Sequence, residues 1–330
     1  MRLLVTLLFL AAAVPATADD APAVSAIMGD GKISFFHNKN LAATYHYGKE
    51  VAKPYFYPLN AAPDVPVTRG WPMVTGLPKE TKDHVHQKSA WFCHGDVIPE
   101  GVELKTKSKD THVKGVDFWS EQAGHGTIEC TGVTSTITKG NVVSLSTTNA
   151  WKSADGVKIL DETRVIRFTT AGDNRLIVLE IDLHASVCPL TFGDTKEGSM
   201  GVRVNDEIKV VGGNGHYVNA DGKKNEKDVW GRQSDWNDYV GKVGDATAGI
   251  AVFDDPANKY RACWHSRGYG LMAANPFGRH GAGFPDRKDN TDLAKMAKGD
   301  HLKLRYGILL HPGDTQTAKV AEQYKAFAGK

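Results

Sequence analysis

The amino-acid sequence predicts an all-β protein built as a large antiparallel β-sandwich. Short runs rich in β-branched and aromatic residues alternate with clusters of Gly, Asn and Asp along most of the chain, which is typical of strands joined by turns. In the run RLIVLEIDLHA, residues 175–185, every second residue from Ile177 to Leu183 is aliphatic, as in a strand with one buried face. Helical segments do not alternate with these runs, so the pattern excludes a Rossmann fold and a TIM barrel.

The predicted strands follow one another with short connections. Asp155 and Gly156 form a hairpin signal between two long runs, 141–152 and 157–168. The other predicted strands are 32–38, 41–48, 175–185, 201–211, 216–220, 249–254, 260–265 and 302–311.

One helix is predicted, at the C-terminus. Asp314 is the expected N-cap of the segment TQTAKVAEQYKAFAG, and the helix is expected to pack on the edge of the sandwich. Its apolar stripe consists of Val320, Ala321, Tyr324, Phe327 and Ala328. No internal repeat or linker interrupts residues 19–330, so a single domain is predicted.

Residues 1–18 resemble a secretory signal peptide. Arg2 precedes an apolar run, and Ala16-Thr17-Ala18 forms a small-residue cleavage site. The alternative is a buried N-terminal helix. The expected mature protein is therefore exported, either secreted or periplasmic, and no later apolar run reaches the length needed for membrane insertion.

Charge and composition exclude several partners. The formal net charge is +2, which creates no strong field to attract nucleic acid, and no P-loop is present, so neither a nucleic-acid partner nor a nucleotide cofactor is expected. The four cysteines allow three disulfide pairings, although buried free thiols are equally compatible. They are Cys93, Cys130, Cys188 and Cys263.

The segment DHVHQKSAWFCHGD, residues 83–96, concentrates groups that transfer protons or bind metals. If it is extended, His84, His86 and Lys88 point to one side, and a His-x-His pair can bind a divalent metal, a possible cofactor here. The alternative is a set of hydrogen-bonded histidines without a ligand role. The predicted catalytic residues are His84, His86, His94 and Asp96, with Asp96 orienting a histidine, and the candidate metal ligands are His84 and His86.

Three later segments, 192–203, 212–236 and 264–278, combine Trp, Arg, Asn, Asp and His with glycine. Flat aromatic faces and fixed polar groups recognise sugars, so this composition favours a carbohydrate or another polar small molecule as ligand, although each segment alone could be an ordinary loop.

A β-sandwich gathers distant loops into one place. We therefore expect His84 or His86 to share a concavity with at least one polar residue of the later segments, namely Glu197, Arg203, His216 or His265. The predicted substrate-binding residues are Arg69, Lys88, Trp91, Trp119, Lys196, Glu197, Arg203, His216, Trp230, His265 and Asn275.

Several segments, in order, resemble the secreted bacterial "PmoA-like" family of uncharacterised proteins. They include TRGWPMVTGLP, DHVHQKSAWFCHGDV, FGDTKEGSMGVRV, GGNGHYVNADG and WHSRGYGLMAANPFG, and the resemblance covers most of residues 30–312. It implies a role in secreted carbohydrate catabolism and a large antiparallel β-sandwich, with the supersandwich of aldose epimerases as one form. The family label comes from a membrane methane mono-oxygenase subunit, which this sequence does not resemble in hydropathy.

Three functions remain open from the sequence. The first is an exported carbohydrate-active enzyme, a lyase, hydrolase or epimerase that acts on a glycoside or keto-sugar by acid/base or metal-assisted chemistry. The second is a non-catalytic glycan-binding protein. The third, ranked lowest, is a metal-dependent oxygenase, which would need a histidine-rich or histidine-carboxylate metal site.

Overall fold

The computed structural model describes residues 23–78 and 80–329, and nearly all of its regular structure is antiparallel β-strand. The predicted fold class is therefore confirmed. The predicted signal peptide, residues 1–18, lies outside the described residues. Within the described ranges, no helix has the length and apolar character needed to cross a membrane.

The first sheet contains nine strands. They are β1 (Val24–Gly29), β2 (Lys32–His37), β3 (Asn40–His46), β4 (Tyr55–Ala62), β5 (Val65–Pro66), β6 (Ala90–His94), β14 (Gly198–Arg203), β18 (Cys263–Arg267) and β19 (Leu271–Asn275). The order across the sheet is β1-β2-β3-β4-β6-β14-β19-β18, with β5 paired to β4. Strand β6 therefore lies beside strands from the second half of the chain.

The second sheet also contains nine strands, and a third sheet contains three, in the order β20-β13-β7. The second sheet comprises β8 (Thr127–Val133), β9 (Ile137–Lys139), β10 (Val142–Lys152), β11 (Lys158–Ala171), β12 (Asn174–His184), β15 (His216–Asn219), β16 (Trp236–Val243), β17 (Ala246–Asp254) and β21 (His301–Pro312). The third comprises β7 (Val97–Pro99), β13 (Leu190–Phe192) and β20 (Ala294–Met296). The predicted hairpin is confirmed, because β10 and β11 pair antiparallel across Asp155 and Gly156.

The two large sheets pack face to face through their apolar side chains. Phe35 of the first sheet lies 5.5 Å from Phe168 of the second, measured between ring centroids. Phe92 contacts Trp151 and Tyr306 in the same way, at 6.2 and 6.1 Å. Burial of the aliphatic positions of β12 completes this core, as expected for a β-sandwich.

Two helices accompany the sheets, α1 (Asn225–Val229) and α2 (Val320–Ala328), together with a short 3-10 turn at Pro285–Arg287. The predicted N-cap of α2 is wrong. Oδ1 of Asp314 accepts the N–H groups of Gln316 and Thr317, at 3.1 and 2.8 Å, so Asp314 closes a turn that precedes the helix. Such local side-chain bonds compete with helix formation.

The C-terminal helix packs on the outer face of the second sheet and not on its edge. Val320, Tyr324 and Phe327 form one apolar cluster with Phe253 and Leu309 of the central strands β17 and β21. Ala321, expected in the apolar stripe, is exposed.

The predicted strand 201–211 is shorter than expected. Strand β14 ends at Arg203 because the Oδ1 atom of Asn205 accepts the N–H of Glu207 at 2.9 Å, which starts a turn. Every residue of β14 is buried, so neither of its faces is solvated. All four cysteines are free thiols in the structure.

Candidate functional site

A polar cavity of about 640 Å³ opens beside strands β6 and β14. Three segments supply most of its walls, 84–87, 110–122 and 194–197, and the lining is completed by Gly95, Asp96, Tyr269, Gly281 and Ala282. His84, His86 and Glu197 therefore share one concavity. The segments are distant in sequence and meet because β6, β14 and β19 are neighbours in the first sheet.

The first wall is a turn, so segment 83–88 does not have the extended conformation under which His84, His86 and Lys88 would point to one side. Strand β6 begins only at Ala90, and the N–H of Gln87 donates to the carbonyl of His84 at 2.9 Å. His84 has a φ of +43°, which a continuous strand does not allow. The rings of His84 and His86 nevertheless meet edge to face, with centroids 5.7 Å apart.

A charge network that includes two buried arginines fixes this turn. Asp83 accepts hydrogen bonds from the guanidinium groups of Arg69 and Arg203, and its other oxygen lies 2.9 Å from Nδ1 of His84. Partial burial opposes ionisation of Asp83, but Arg203, His84 and Arg69 together hold the pKa of its carboxyl well below the usual range. The carboxylate that orients a histidine is therefore Asp83, whereas the sequence pointed to Asp96.

Asp96 has a different function in the structure. Its Oδ1 atom accepts the backbone N–H groups of Lys114 and Gly115, at 3.0 and 2.7 Å. Burial raises the pKa of this carboxyl. Asp96 thus holds one end of the 110–122 wall against the end of β6.

The second wall, residues 194–197, is held from behind by three buried side chains. Nε2 of His94 donates to the carbonyl of Gly193 at 2.9 Å, and Nδ1 of His265 donates to the carbonyl of Lys196 at 2.8 Å. The side-chain amide of Asn275 donates to the carbonyl of Thr195 at 2.9 Å.

The burial of these anchors limits their chemistry. Burial lowers the pKa of His94 to about 4 and that of His265 to about 3, so both rings are neutral at physiological pH. The cavity lining does not include His94, His265 or Asn275. The nitrogen atoms named above donate to backbone carbonyls instead. The structure therefore gives them a supporting position, where the sequence predicted catalysis or substrate contact.

Glu197 is a cavity carboxyl whose side chain has, among the residues that the structure describes, no hydrogen-bonding or ion-pair partner to compensate for its burial. No residue within 23–78 or 80–329 forms a hydrogen bond or an ion pair with its side chain. Burial, reinforced by Asp117 and Asp110 and opposed by Lys196, raises the pKa of Glu197 to about 7. Such a carboxyl exists in both protonation states near neutral pH.

His86 is the second unpartnered group. In the part of the chain that the structure describes, neither of its ring nitrogens has a hydrogen-bond partner. Burial, with the positive charge of Lys53 nearby, lowers the pKa of His86 to about 3. A neutral imidazole of this kind offers both a donor and an acceptor to a ligand.

The third wall, residues 110–122, contains the aromatic residue Trp119. Asp117 accepts the N–H groups of Trp119 and Ser120, at 2.8 and 3.0 Å, which fixes the local turn. Trp119 packs at 61° on Trp91, with centroids 5.0 Å apart, and lies 6.5 Å from the ring of His86. Only Trp119 of this pair lines the cavity, although both side chains belong to the hydrophobic core.

Other predicted binding residues lie elsewhere. Lys88 forms an ion pair with Glu121 at 2.6 Å, and Trp230 packs on Phe284 at 5.5 Å. His216 belongs to β15, the edge strand of the second sheet. Arg69 and Arg203 are fully buried behind the cavity wall, so they do not face a ligand.

The sequence interpretation missed several lining residues. They are Gln87, Asp110, His112, Lys114, Asp117, Asp194 and Tyr269. Gln87, Asp194 and Tyr269 lie within the segments that the sequence analysis selects, and the run KDTHVKGVDFW, residues 109–119, contains the remaining signal in its charged and aromatic residues. Among residues 23–78 and 80–329, no three His, Cys, Asp or Glu side chains cluster in a way that could hold a metal ion.

Among known protein families, the sequence matches one whose function is unknown. The model of the family of unknown function (DUF6807) matches residues 32–325. This match confirms the expectation of an uncharacterised family and does not carry the PmoA-like name. No curated protein matches the sequence.

Two solved structures show weak similarity. The GH36 α-galactosidase AgaB from Geobacillus stearothermophilus has 9% sequence identity and a TM-score of 0.40. The α-galactosidase from Lactobacillus brevis has 10% identity and a TM-score of 0.38. The similarity covers 88% and 89% of this chain but only 41% and 40% of those chains.

Proposed function

The chain belongs to the family of unknown function (DUF6807), and we propose, from the chemistry of its cavity, that it is a carbohydrate-active enzyme that works by proton transfer. The observation that carries this proposal is Glu197, an unpaired carboxyl in a polar cavity with a pKa raised to about 7. The proposed reaction is hydrolysis, elimination or epimerisation of a glycoside or keto-sugar.

The size and lining of the cavity support a sugar ligand. A volume of about 640 Å³ is in the range of sites for small organic ligands. Trp119 and Tyr269 contribute aromatic rings to the lining, while His86 and Glu197 offer hydrogen-bonding groups. Sugars need both kinds of contact, because their rings have apolar faces and polar hydroxyl edges.

Glu197 supports catalysis beyond binding. A carboxyl with a pKa near the working pH gives up and takes back a proton with similar ease, which is the requirement for general acid–base catalysis. In its protonated form, Glu197 would donate to a departing or carbonyl oxygen of the substrate. In its ionised form, it would accept a proton from a hydroxyl, a carbon acid or water.

The test is a substrate panel with matched variants. Wild-type protein is incubated with glycosides and 3-keto-glycosides, and products are followed by mass spectrometry. On any substrate that is converted, Glu197→Gln should lower the rate by about 10²–10⁴-fold, the usual contribution of a positioned acid or base. Glu103→Gln is the matched control, because Glu103 is exposed and lies outside the cavity.

Two outcomes contradict the proposal. Full turnover by Glu197→Gln would remove Glu197 from the mechanism. Tight binding without product across the panel would identify a non-catalytic glycan-binding protein. We also propose that the protein acts after export, as residues 1–18 indicate, and the mature N-terminus tests this point.

A further inference from the structure

Two fully buried arginines stand behind the cavity wall that contains His84 and Tyr269. Arg69 and Arg203 are each 0% exposed. Moving a guanidinium out of water is costly unless good partners compensate it. Both arginines share one partner, the Oδ1 atom of Asp83, to which Nη2 of Arg203 donates at 2.8 Å and Nη1 of Arg69 also donates.

The arginines also fix the backbone and side chains around Asp83. Nη2 of Arg69 donates to the carbonyls of Asp83 and His84, each at 3.1 Å. Nη1 of Arg203 donates to Oε1 of Gln87 at 2.7 Å. The turn that carries the two cavity histidines is therefore tied to buried charges at its start and at its end.

The second oxygen of Asp83 acts on His84. Oδ2 of Asp83 lies 2.9 Å from Nδ1 of His84, and a carboxylate can only accept, so Nδ1 carries a proton. The imidazole also lies parallel to the ring of Tyr269, with centroids 5.1 Å apart and planes 5° apart. Arg203 lies 4.7 Å from the centroid of the same Tyr269 ring, so the buried arginine also contacts the ring on which His84 stacks.

The hydrogen bond to Nδ1 determines what His84 offers to the cavity. In the neutral ring, a proton on Nδ1 leaves Nε2 with a free lone pair. Nε2 has no hydrogen-bond partner among the residues that the structure describes, and His84 lines the cavity together with Glu197.

We propose that Asp83, held by Arg69 and Arg203, is a positioning residue that fixes the tautomer of His84, and that Nε2 of His84 accepts a proton from the substrate. This inference rests on the proposed function and adds the partner of Glu197. In the step, a C–H bond next to a carbonyl of the substrate breaks, its proton forms the Nε2–H bond, and His84 becomes imidazolium. The electron pair of the C–H bond forms the C=C bond of an enol, and protonated Glu197 gives its proton to the former carbonyl oxygen. The substrate stays neutral while His84 gains a positive charge and Glu197 a negative one, so charge and protons balance.

The tautomer is measured directly, without any substrate. Long-range ¹H–¹⁵N spectra of histidine-labelled protein distinguish a protonated Nδ1 from a protonated Nε2 in the neutral ring, and a His84→Gln variant identifies the His84 signals. In wild-type protein we expect the proton on Nδ1. Neutral His84 with its proton on Nε2 would overturn the proposal.

Asp83→Asn gives the decisive comparison. Because Arg69 and Arg203 donate to Oδ1, the amide oxygen should stay on the arginines and the amide NH₂ should face Nδ1 of His84. The ring proton should then move to Nε2, which removes the free lone pair. An unchanged tautomer in a folded Asp83→Asn protein would contradict the role of Asp83, and Asp289→Asn, at an exposed aspartate, should leave the tautomer unchanged.

Turnover separates this inference from the proposed function. On any substrate converted by the wild-type protein, Asp83→Asn and His84→Gln should each lower kcat by about 10²–10⁴-fold, with a much smaller change in KM. Full activity of His84→Gln would remove His84 as proton acceptor while Glu197 could still act. If no substrate in the panel is converted, the proposed function fails and the spectra alone decide the role of Asp83. The tautomer is measured on the wild-type protein, and only the His84→Gln variant used for assignment has to fold.

Discussion

Replacing Glu197 by glutamine should stabilise the protein, and the gain should depend on pH. Burial raises the pKa of this carboxyl from 4.5 to about 7, so the native state binds its proton more tightly than the unfolded chain does. Between pH 4.5 and about 7 the unfolded state loses this proton first, and the free energy of unfolding therefore falls as the pH rises. Glutamine has no proton to lose and escapes this penalty.

The size of the effect follows from the shift. A pKa raised from 4.5 to about 7 corresponds to an upper limit of about 3 kcal/mol for the ionised form. Because part of the Glu197 side chain reaches solvent, screening reduces this value, and we expect about 1–2 kcal/mol. Glu197→Gln should therefore match the wild-type stability near pH 4 and exceed it by about 1–2 kcal/mol near pH 8.

Urea denaturation at pH 4 and at pH 8 measures this difference, with Glu103→Gln as control for the loss of a surface carboxylate. Equal stability of Glu197→Gln and wild-type protein at pH 8 would refute the shifted pKa, and with it the main argument for Glu197 as a proton-transfer group. If Glu197→Gln gains stability and loses turnover, the Glu197 carboxyl lowers the stability of the native protein but is needed for activity.

Three further predictions concern the buried charges and the N-terminus. Burial lowers the pKa of His311, but the Asp238 carboxylate outweighs this effect and raises that pKa. The stabilisation from this pair is complete below the ordinary histidine pKa of 6.5 and is lost as the pH rises through the raised value. Asp238→Asn should therefore lower the free energy of unfolding by about 3 kcal/mol at pH 6 and by less at pH 9 in urea denaturation. Arg164→Met should cost about 3–5 kcal/mol, because it leaves the Glu162 carboxylate, 1% exposed, without its cation; adding Glu162→Gln should recover much of the loss, and a double variant no more stable than the single one would contradict this account. Mass spectrometry of the exported protein should show cleavage after Ala18, and an intact Met1 would reject the signal peptide.

The supporting residues explain why loop composition alone does not identify the residues that line the cavity. His94, His265 and Asn275 have the residue types of a sugar site, but each donates to a carbonyl of the 193–196 backbone. A loop that passes beside a buried sheet end must satisfy its carbonyls within the protein. The same side chains that could bind a hydroxyl are therefore used to hold the wall that faces the ligand.

The sequence by itself determined the fold class and the neighbourhood of the site. Alternation along β12 needs only the two-residue period of a strand, and the hairpin at Asp155-Gly156 needs only local turn chemistry. Segment 83–96 was singled out by its titratable groups, and it does supply His84 and His86 to the cavity. These features are local, so a short stretch of sequence contains them in full.

The tertiary structure decided which groups are free to act. Asp83 orients His84 because Arg69 and Arg203 reach it from other parts of the fold, and no periodicity links Arg203 to a residue 120 positions away. Glu197 acquires its raised pKa from burial beside Asp117 and Asp110, which lie on a separate irregular segment. Desolvation and charge pairing depend on distance in space, and only the packing of the two sheets and their loops fixes that distance.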